Sequence, residues 1–290
     1  MPVKAIEEIN GADGSLERVV LRGQNGSSTE IYLYGATITS WKSQGKERLF
    51  VSKQAHLDGS KAVRGGIPIV FPQFGPGELP QHGFARTRKW TLVEAVEHGA
   101  GIVARFELKE NSDTLASKWP YKFVLHYTID LTATTLSTVI KYENTDTREF
   151  SFTSLMHTYF QVPDIAQTKV TGLKGVSYID KVKRVEESEQ QDSIVVTANE
   201  DRVYTNVPGV VNVVYGNERV SVTRFNFKDV VLWNPWAEKA AEMSDFGDSE
   251  YKNMICVEVG TVASKITLRP GQTASSGQLL TVEPATGPQL

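Results

Sequence analysis

His157 and Glu258 are the residues best placed by type and surroundings to move protons. Histidine titrates closest to neutrality of all side chains, so it can serve as acid or base near pH 7. His157 lies in the apolar run Phe150 to Val162, where strand alternation puts Thr153, Leu155, His157 and Tyr159 on one face. Glu258 lies in MICVEVG, where Met254, Cys256 and Glu258 share one face and Ile255, Val257 and Val259 the other. A carboxyl flanked by Met and Cys is partly desolvated, which raises its pKa and makes it a better base near neutrality. Taken singly, each has an ordinary alternative: His157 as a hydrogen-bonded core histidine, Glu258 as a group on a solvated strand face.

A second candidate functional segment is Val63 to Arg86, VRGGIPIVFPQFGPGELPQHGFAR. Its five glycines and four prolines rule out a long helix and interrupt any long strand. The apolar run Ile67 to Phe71 argues against disorder, so the segment reads as an ordered loop system anchored by a short buried piece. Arg64 and Arg86 frame it, with Gln81 and His82 between them. Loops with fixed turns and several polar donors tend to carry function; the plainer reading is a surface crossover whose arginines are solvated. Asp201, in NEDRVYTNV, opens a strand after a polar stretch, where a surface turn is the ordinary role. Trp233 and Trp236 bracket Asn234-Pro235; tryptophans near a turn can stack on sugar rings, or simply serve as core or structural lids.

Other chemistries lack their residues. There is no P-loop, no GxGxxG after a strand and no GxSxG serine elbow. Cys256 is the single thiol, and its apolar surroundings argue against a lowered pKa. His82, His157, Asp201 and Glu258 could collect a metal, but no closely spaced pair such as HxH or HxxxH occurs, so no metal is expected.

The elements that must position these residues read as strands. Arg18 to Leu21, Glu30 to Tyr34, Thr37 to Trp41 and Arg48 to Val51 are short alternating or apolar runs punctuated by glycines. Lys89 to Val96 and Ile102 to Leu108 flank His98-Gly99-Ala100-Gly101 as a hairpin, and Phe123 to Leu131 pairs naturally with Leu136 to Tyr142. Further strands are expected at Ile194 to Thr197, Val210 to Tyr215, Arg219 to Phe225, Asp229 to Trp233, Met254 to Val259 (ended by Gly260), Lys265 to Leu268 and Gln278 to Val282. Only two short helices are expected, Ser112 to Trp119 and Ala237 to Met243. No repeat or linker marks a boundary, so residues 1–290 read as one all-β domain, an antiparallel sandwich of large sheets, with a frayed tail from about 283 to 290.

The chain has 290 residues, 40% hydrophobic and 22% charged, enough for a real core. A net charge of −3 gives no basic footprint for nucleic acid and no polybasic signature for a membrane. No apolar run approaches the roughly 18 residues of a spanning helix. The opening MPVKAIEEINGADG lacks the apolar core of a secretory signal, and one cysteine cannot form an internal disulfide, so a cytoplasmic location is the default expectation. Nothing demands an oligomer, and a monomer is expected.

Taken together and in order, VRGGIPIVFPQFG, LPQHGFAR, MHTYF, VVLWNPW and MICVEVG resemble the aldose 1-epimerase (mutarotase) family, and most of all its hexose-6-phosphate 1-epimerase branch. The resemblance runs from about Tyr34 to about Leu280. It implies a galactose mutarotase-like β-sandwich of large twisted sheets with a sugar on its concave face. It also implies that Glu258 is the general base and His157 the general acid. Arg64, Gln81 and Arg86 would line the substrate site, with His82 between them; Asp201 would bind a sugar hydroxyl, and the two arginines would take the phosphate. The implied reaction opens a hemiacetal and recloses it, so it needs one base and one acid and no cofactor. Two alternatives remain: a non-catalytic sugar-phosphate-binding module on the same fold, and an epimerase of unphosphorylated hexoses. The presence of both His157 and Glu258 weighs against a pure binder.

Overall fold

The computed structural model describes residues 4–285. The alternating runs become strands except Arg48 to Val51, which makes only isolated bridges, Leu49 to Phe160 and Val51 to Gly65, and every strand-to-strand ladder among the described residues is antiparallel. Three sheets result. Five strands from Ile6–Asn10 to Lys46–Glu47 pair in chain order. A nine-stranded sheet is centred on Thr273–Pro284 and Thr135–Asn144. An eight-stranded sheet is centred on Asp229–Asn234, Met254–Leu268 and Phe150–Met156. The two helices are short, Ser112–Leu115 and Trp236–Ala241. The all-β fold expected from the alternation is thus present.

Alternation also decides which face of each strand is dry. Phe152, Met156, Val257, Val259, Val230 and Leu232 of the eight-stranded sheet join Leu125, Tyr127, Leu136 and Ile140 of the nine-stranded one in a single buried core. Tyr142 packs on Phe152 with ring centres 4.7 Å apart, and its hydroxyl donates to Ser154 Oγ at 3.0 Å. Burial of each such side chain contributes roughly 1.5–3 kcal/mol. With one face of the eight-stranded sheet committed to that core, its other face is free to build a site.

Several elements depart from the expected ranges for identifiable reasons. The Met254–Leu268 strand does not stop at Gly260 but runs 15 residues. Gly260 is there for close approach: a Cβ on it would sit 2.7 Å from Leu155 Cβ and 2.8 Å from Ser154 O. The first helix stops at Leu115, well short of Pro120; Asn111 caps it, accepting from Thr114 N at 2.9 Å. The strand expected over Ile194 to Thr197 is reduced to Ser193–Ile194. Two residues of the expected frayed end are laddered, Glu283 with Arg219 and Pro284 with Glu218; residues 286–290 lie outside those described.

The departure that matters most is inside Phe150 to Val162. The run is two strands, Phe150–Met156 and Tyr159–Gln161, both paired to Met254–Leu268. His157 and Thr158 occupy the break between them. There the His157 N–H donates to Pro68 O at 3.0 Å instead of to the sheet ladder.

Candidate active site

The Gly/Pro segment forms the edge of the site. Ile69–Val70 pairs with Leu155 and Met156. Arg64 is pinned from both sides: Ser52 N–H donates to Arg64 O at 3.0 Å, and Gly66 N–H donates to Phe50 O at 2.7 Å. Gly66 (φ +65°) must be glycine, since a Cβ would lie 2.0 Å from Ile38 O. The far end is fixed at Gly83 (φ +72°), whose Cβ would meet Phe71 O at 2.2 Å. Between them His82 also adopts a left-handed conformation, φ 68°, a strained setting of the kind that clusters at functional sites.

On the open face of the eight-stranded sheet these residues line a cavity of about 320 Å³. Arg64, Gln81, His82, His157, Asp201 and Glu258 all face it, together with Phe74, Trp233, Lys181, Lys239 and Met243. A larger cleft of about 580 Å³ lies beside Trp90 and Leu92, but its charged groups, Glu8, Lys89 and Glu94, are not buried together. Chemistry, not volume, picks out the first.

At the floor, Nδ1 of His157 lies 3.5 Å from Oε1 of Glu258. Glu258 is 1% exposed and His157 7%. Among the described residues neither His157 Nδ1 nor Glu258 Oε2 has a hydrogen-bond partner. Burial, reinforced by the like charge of Asp201, pushes the Glu258 carboxyl well above the usual carboxylate range; Lys181 and Arg86 offset only part of this. Burial and then the charges of His82, Arg86 and Arg64 push the His157 imidazole well below its usual range. Each shift favours the neutral form of its group; in the one-proton state the neutral pair and the carboxylate–imidazolium pair differ only in where the proton sits. His157 stacks on Tyr159, ring centres 4.5 Å apart, and Trp233 meets its ring edge-on at 6.1 Å.

His82 is held neutral. Gly75 N–H donates to its Nδ1 at 3.1 Å, so the ring proton is on Nε2. Burial, then Arg86, Lys181 and Arg64, lower its pKa to about 3. It is a fixed neutral donor whose ring stands edge-on to His157 at 5.7 Å.

The cations form the wall. Arg64 Nε donates to Asp245 Oδ1 at 3.2 Å and Nη1 donates to Tyr159 Oη at 3.3 Å, which leaves Nη2 for a ligand. Lys181 pairs with Asp201 at 3.4 Å and lies over the Phe74 ring at 5.1 Å. Lys239, on the Trp236–Ala241 helix, has no ion-pair partner among the described residues. Arg86 is the one charged or amide sequence candidate outside the lining of the cavity. Its Nη2 donates to Gln81 O at 2.8 Å, so it holds the segment that carries Gln81 and His82. Of the two tryptophans, Trp233 lines the cavity, whereas Trp236 packs on Tyr251, ring centres 5.2 Å apart.

Sequence reasoning missed Lys181, Lys239 and Asp245. Lys181 follows a strand in the polar run DKVKR, and Lys239 and Asp245 lie on or just past a short helix; nothing local to them signals a site.

Comparison with known proteins identifies the family. A sequence model of a family described as aldose 1-epimerase matches residues 17–281. A protein of Cenchrus ciliaris, provisionally named glucose-6-phosphate 1-epimerase, is 41% identical over 278 residues, covering 91% of this chain and 84% of that protein. An Escherichia coli (strain K12) protein with the same provisional name is 37% identical over 235 residues, covering 78% of this chain and 77% of its own. The solved structure of a Salmonella typhimurium protein, provisionally described as a mutarotase, superposes with a TM-score of 0.86 at 29% identity over 97% of each chain.

Proposed function

The chain belongs to the aldose 1-epimerase family and is an isomerase acting on carbohydrates, and from that premise we propose that it interconverts the α and β anomers of a hexose 6-phosphate, with Glu258 as base and His157 as acid. The observation that carries this reading is the buried His157–Glu258 pair on the floor of the cavity, otherwise unpartnered among the described residues. A module that only bound sugar would bear the desolvation cost of that pair without using it.

The chemistry balances on these two groups. Glu258 as carboxylate takes the proton of the C1 hydroxyl, C1=O1 forms, the C1–O5 bond breaks, and His157 as imidazolium gives its proton to O5. The pair starts with one proton and ends with one, now on Glu258. The end state is the neutral pair that burial favours, so ring opening discharges two buried charges. Rotation about C1–C2 presents the other face of the aldehyde, and closure runs the transfers backwards. Each positioned transfer is worth about 10²–10⁴-fold.

The phosphate is assigned to the cationic wall. Asp245 and Tyr159 orient Arg64 with its Nη2 free, and Lys239 makes no ion pair among the described residues. Guanidinium suits phosphate oxygens geometrically, and lysine as a point charge. Asp201 and neutral His82 serve as hydroxyl partners of the ring, and Arg86 acts through Gln81. The names of the relatives agree with a hexose 6-phosphate. The test is anomer exchange of glucose 6-phosphate by NMR exchange spectroscopy with purified protein; exchange no faster than in buffer would refute the reading.

A further inference from the structure

Spacing along the chain argues against a metal, but the pairing of distant strands brings His157 to Cys256 and Glu258, which chain spacing cannot reveal. One ligand atom from each of His157, Cys256 and Glu258 lies within 4.8 Å of the other two. The 3.5 Å between His157 Nδ1 and Glu258 Oε1 is already close to the roughly 3.3 Å edge of a tetrahedron with bonds of about 2.0–2.1 Å. All three residues are buried, and His157 Nδ1 and Glu258 Oε2 lack hydrogen-bond partners among the described residues. His157 and Glu258 face the cavity, so an ion entering it meets them first and Cys256 next to them on the same strand face as Glu258.

We propose that a ring nitrogen of His157, Sγ of Cys256 and a carboxylate oxygen of Glu258 form an inhibitory site for a borderline-soft divalent cation of the zinc type. Nitrogen, sulfur and oxygen donors suit zinc, with a cavity water as fourth ligand, whereas magnesium and calcium do not draw a thiol. A neutral imidazole ligates through its lone pair. The Cys256 S–H bond breaks, an S–metal bond forms and the proton leaves to buffer, with no change of oxidation state. Arg86 and Lys181, whose fields reach Glu258, and Arg64, whose field reaches Cys256, oppose the incoming charge, so the site selects for a metal that gains a strong thiolate bond. The ion takes the same atoms as the proposed proton transfers, so metal and sugar exclude each other.

The metal-binding arm stands on geometry alone; the competition arm rests on the function proposed above. The experiment uses the full chain, stripped with chelator, and zinc or cobalt(II) alone. Cobalt(II) should give the intense near-ultraviolet thiolate band and the visible absorption of a tetrahedral site. Because Cys256 is the only cysteine, that band reports one position. Cys256→Ala should abolish the band and weaken zinc at least about tenfold by calorimetry, since losing even an outer partner of a metal ligand costs about 10–100-fold. Cys256→Ala should turn over sugar as the wild type does and escape zinc inhibition. In the wild type, zinc should raise the apparent KM for glucose 6-phosphate, and chelator should restore it. Absence of the thiolate band in the wild type overturns the site whether or not the variant folds. Equal zinc affinity of the variant also overturns it. A wild type inactive on sugar removes the function proposed above, while the cobalt spectrum still decides the metal site.

Discussion

His157 Nδ1 and Glu258 Oε1 face each other at 3.5 Å at the break between Met156 and Tyr159, where the Phe150–Gln161 run leaves the sheet ladder. The register is the same on both sides of the break. Met156 is registered with Val259 and Tyr159 with Cys256, so two residues, His157 and Thr158, stand opposite Val257 and Glu258 without laddering as a regular strand. Thr158 turns inward, its Oγ1 accepting from Gln278 Nε2 at 3.0 Å. His157 turns to the cavity and to Glu258.

If this contact is the proton-transfer pair, His157→Asn and Glu258→Gln each keep size and remove the proton function. Each should fold and lose about 10²–10⁴-fold in kcat. The double variant should be little worse than the worse single one, because the two act as a unit. Exchange rates for glucose 6-phosphate check this; wild-type kcat in either single variant refutes its assigned role.

The pH profile should be a bell whose top is the one-proton state of the pair. The His157 imidazole is held below its ordinary 6.5, so the second proton leaves at lower pH and the acid limb should fall below that value. The Glu258 carboxyl is held above its ordinary 4.5, so the last proton is retained into higher pH and the alkaline limb belongs to it. Both limbs are macroscopic values of the pair. An acid limb of kcat/KM at or above the ordinary histidine value would contradict the buried, cation-crowded setting of His157.

The same burial makes a prediction about stability with the opposite sign to that for activity. Glu258 has a folded-state pKa above its unfolded one, so its contribution is intact below its ordinary 4.5 and is lost as pH rises towards the folded value. Glu258→Gln removes the ionisation and should therefore raise stability at neutral to alkaline pH, by about 1–3 kcal/mol if it relieves a buried unpaired charge. The gain should fade below pH 4.5. Thermal melts of wild type and variant at pH 4, 7 and 8.5 measure it; a variant no more stable at pH 8.5 than the wild type defeats the argument.

How much of this was legible beforehand follows from which forces are local. Period-two alternation put Cys256 and Glu258 on one face and Val257 and Val259 on the other, and both placements hold because the pleat dictates them. Likewise Leu155, His157 and Tyr159 share the cavity side despite the break. Gly260 misled because a glycine in a strand reads equally as an end or as a close approach, and only its neighbour across the sheet, Leu155, decides. The resemblance implies Arg86 as a phosphate ligand; that its Nη2 donates to Gln81 O depends on a turn no local pattern encodes. Lys181, Lys239 and the His157–Cys256–Glu258 cluster come together only through pairing between distant strands and a helix, where sequence spacing carries no information.

Substrate preference should separate the cations by what they touch. Arg64 and Lys239 face the cavity, one with Nη2 unspent and the other without an acidic partner among the described residues, so both are assigned to the phosphate. Arg86 instead braces Gln81, and with it the turn that presents His82. A charge-assisted hydrogen bond contributes roughly 1.5–3 kcal/mol, so Arg64→Ala and Lys239→Met should each weaken glucose 6-phosphate by about 10–100-fold. Neither should change kcat/KM for free glucose, which has no phosphate to lose. Lys239→Arg should retain most of the preference because it keeps the charge. Arg86→Ala should lower kcat/KM for both sugars together, because a displaced Gln81–His82 turn misplaces partners of the ring that both share. The overall charge of −3 leaves no general attraction for an anion, so the discrimination must be local. The measurement is kcat/KM for both sugars in the wild type and the four variants. Equal handling of the two sugars by the wild type would remove the phosphate assignment altogether, and a full preference surviving in both Arg64→Ala and Lys239→Met would move the phosphate away from this wall.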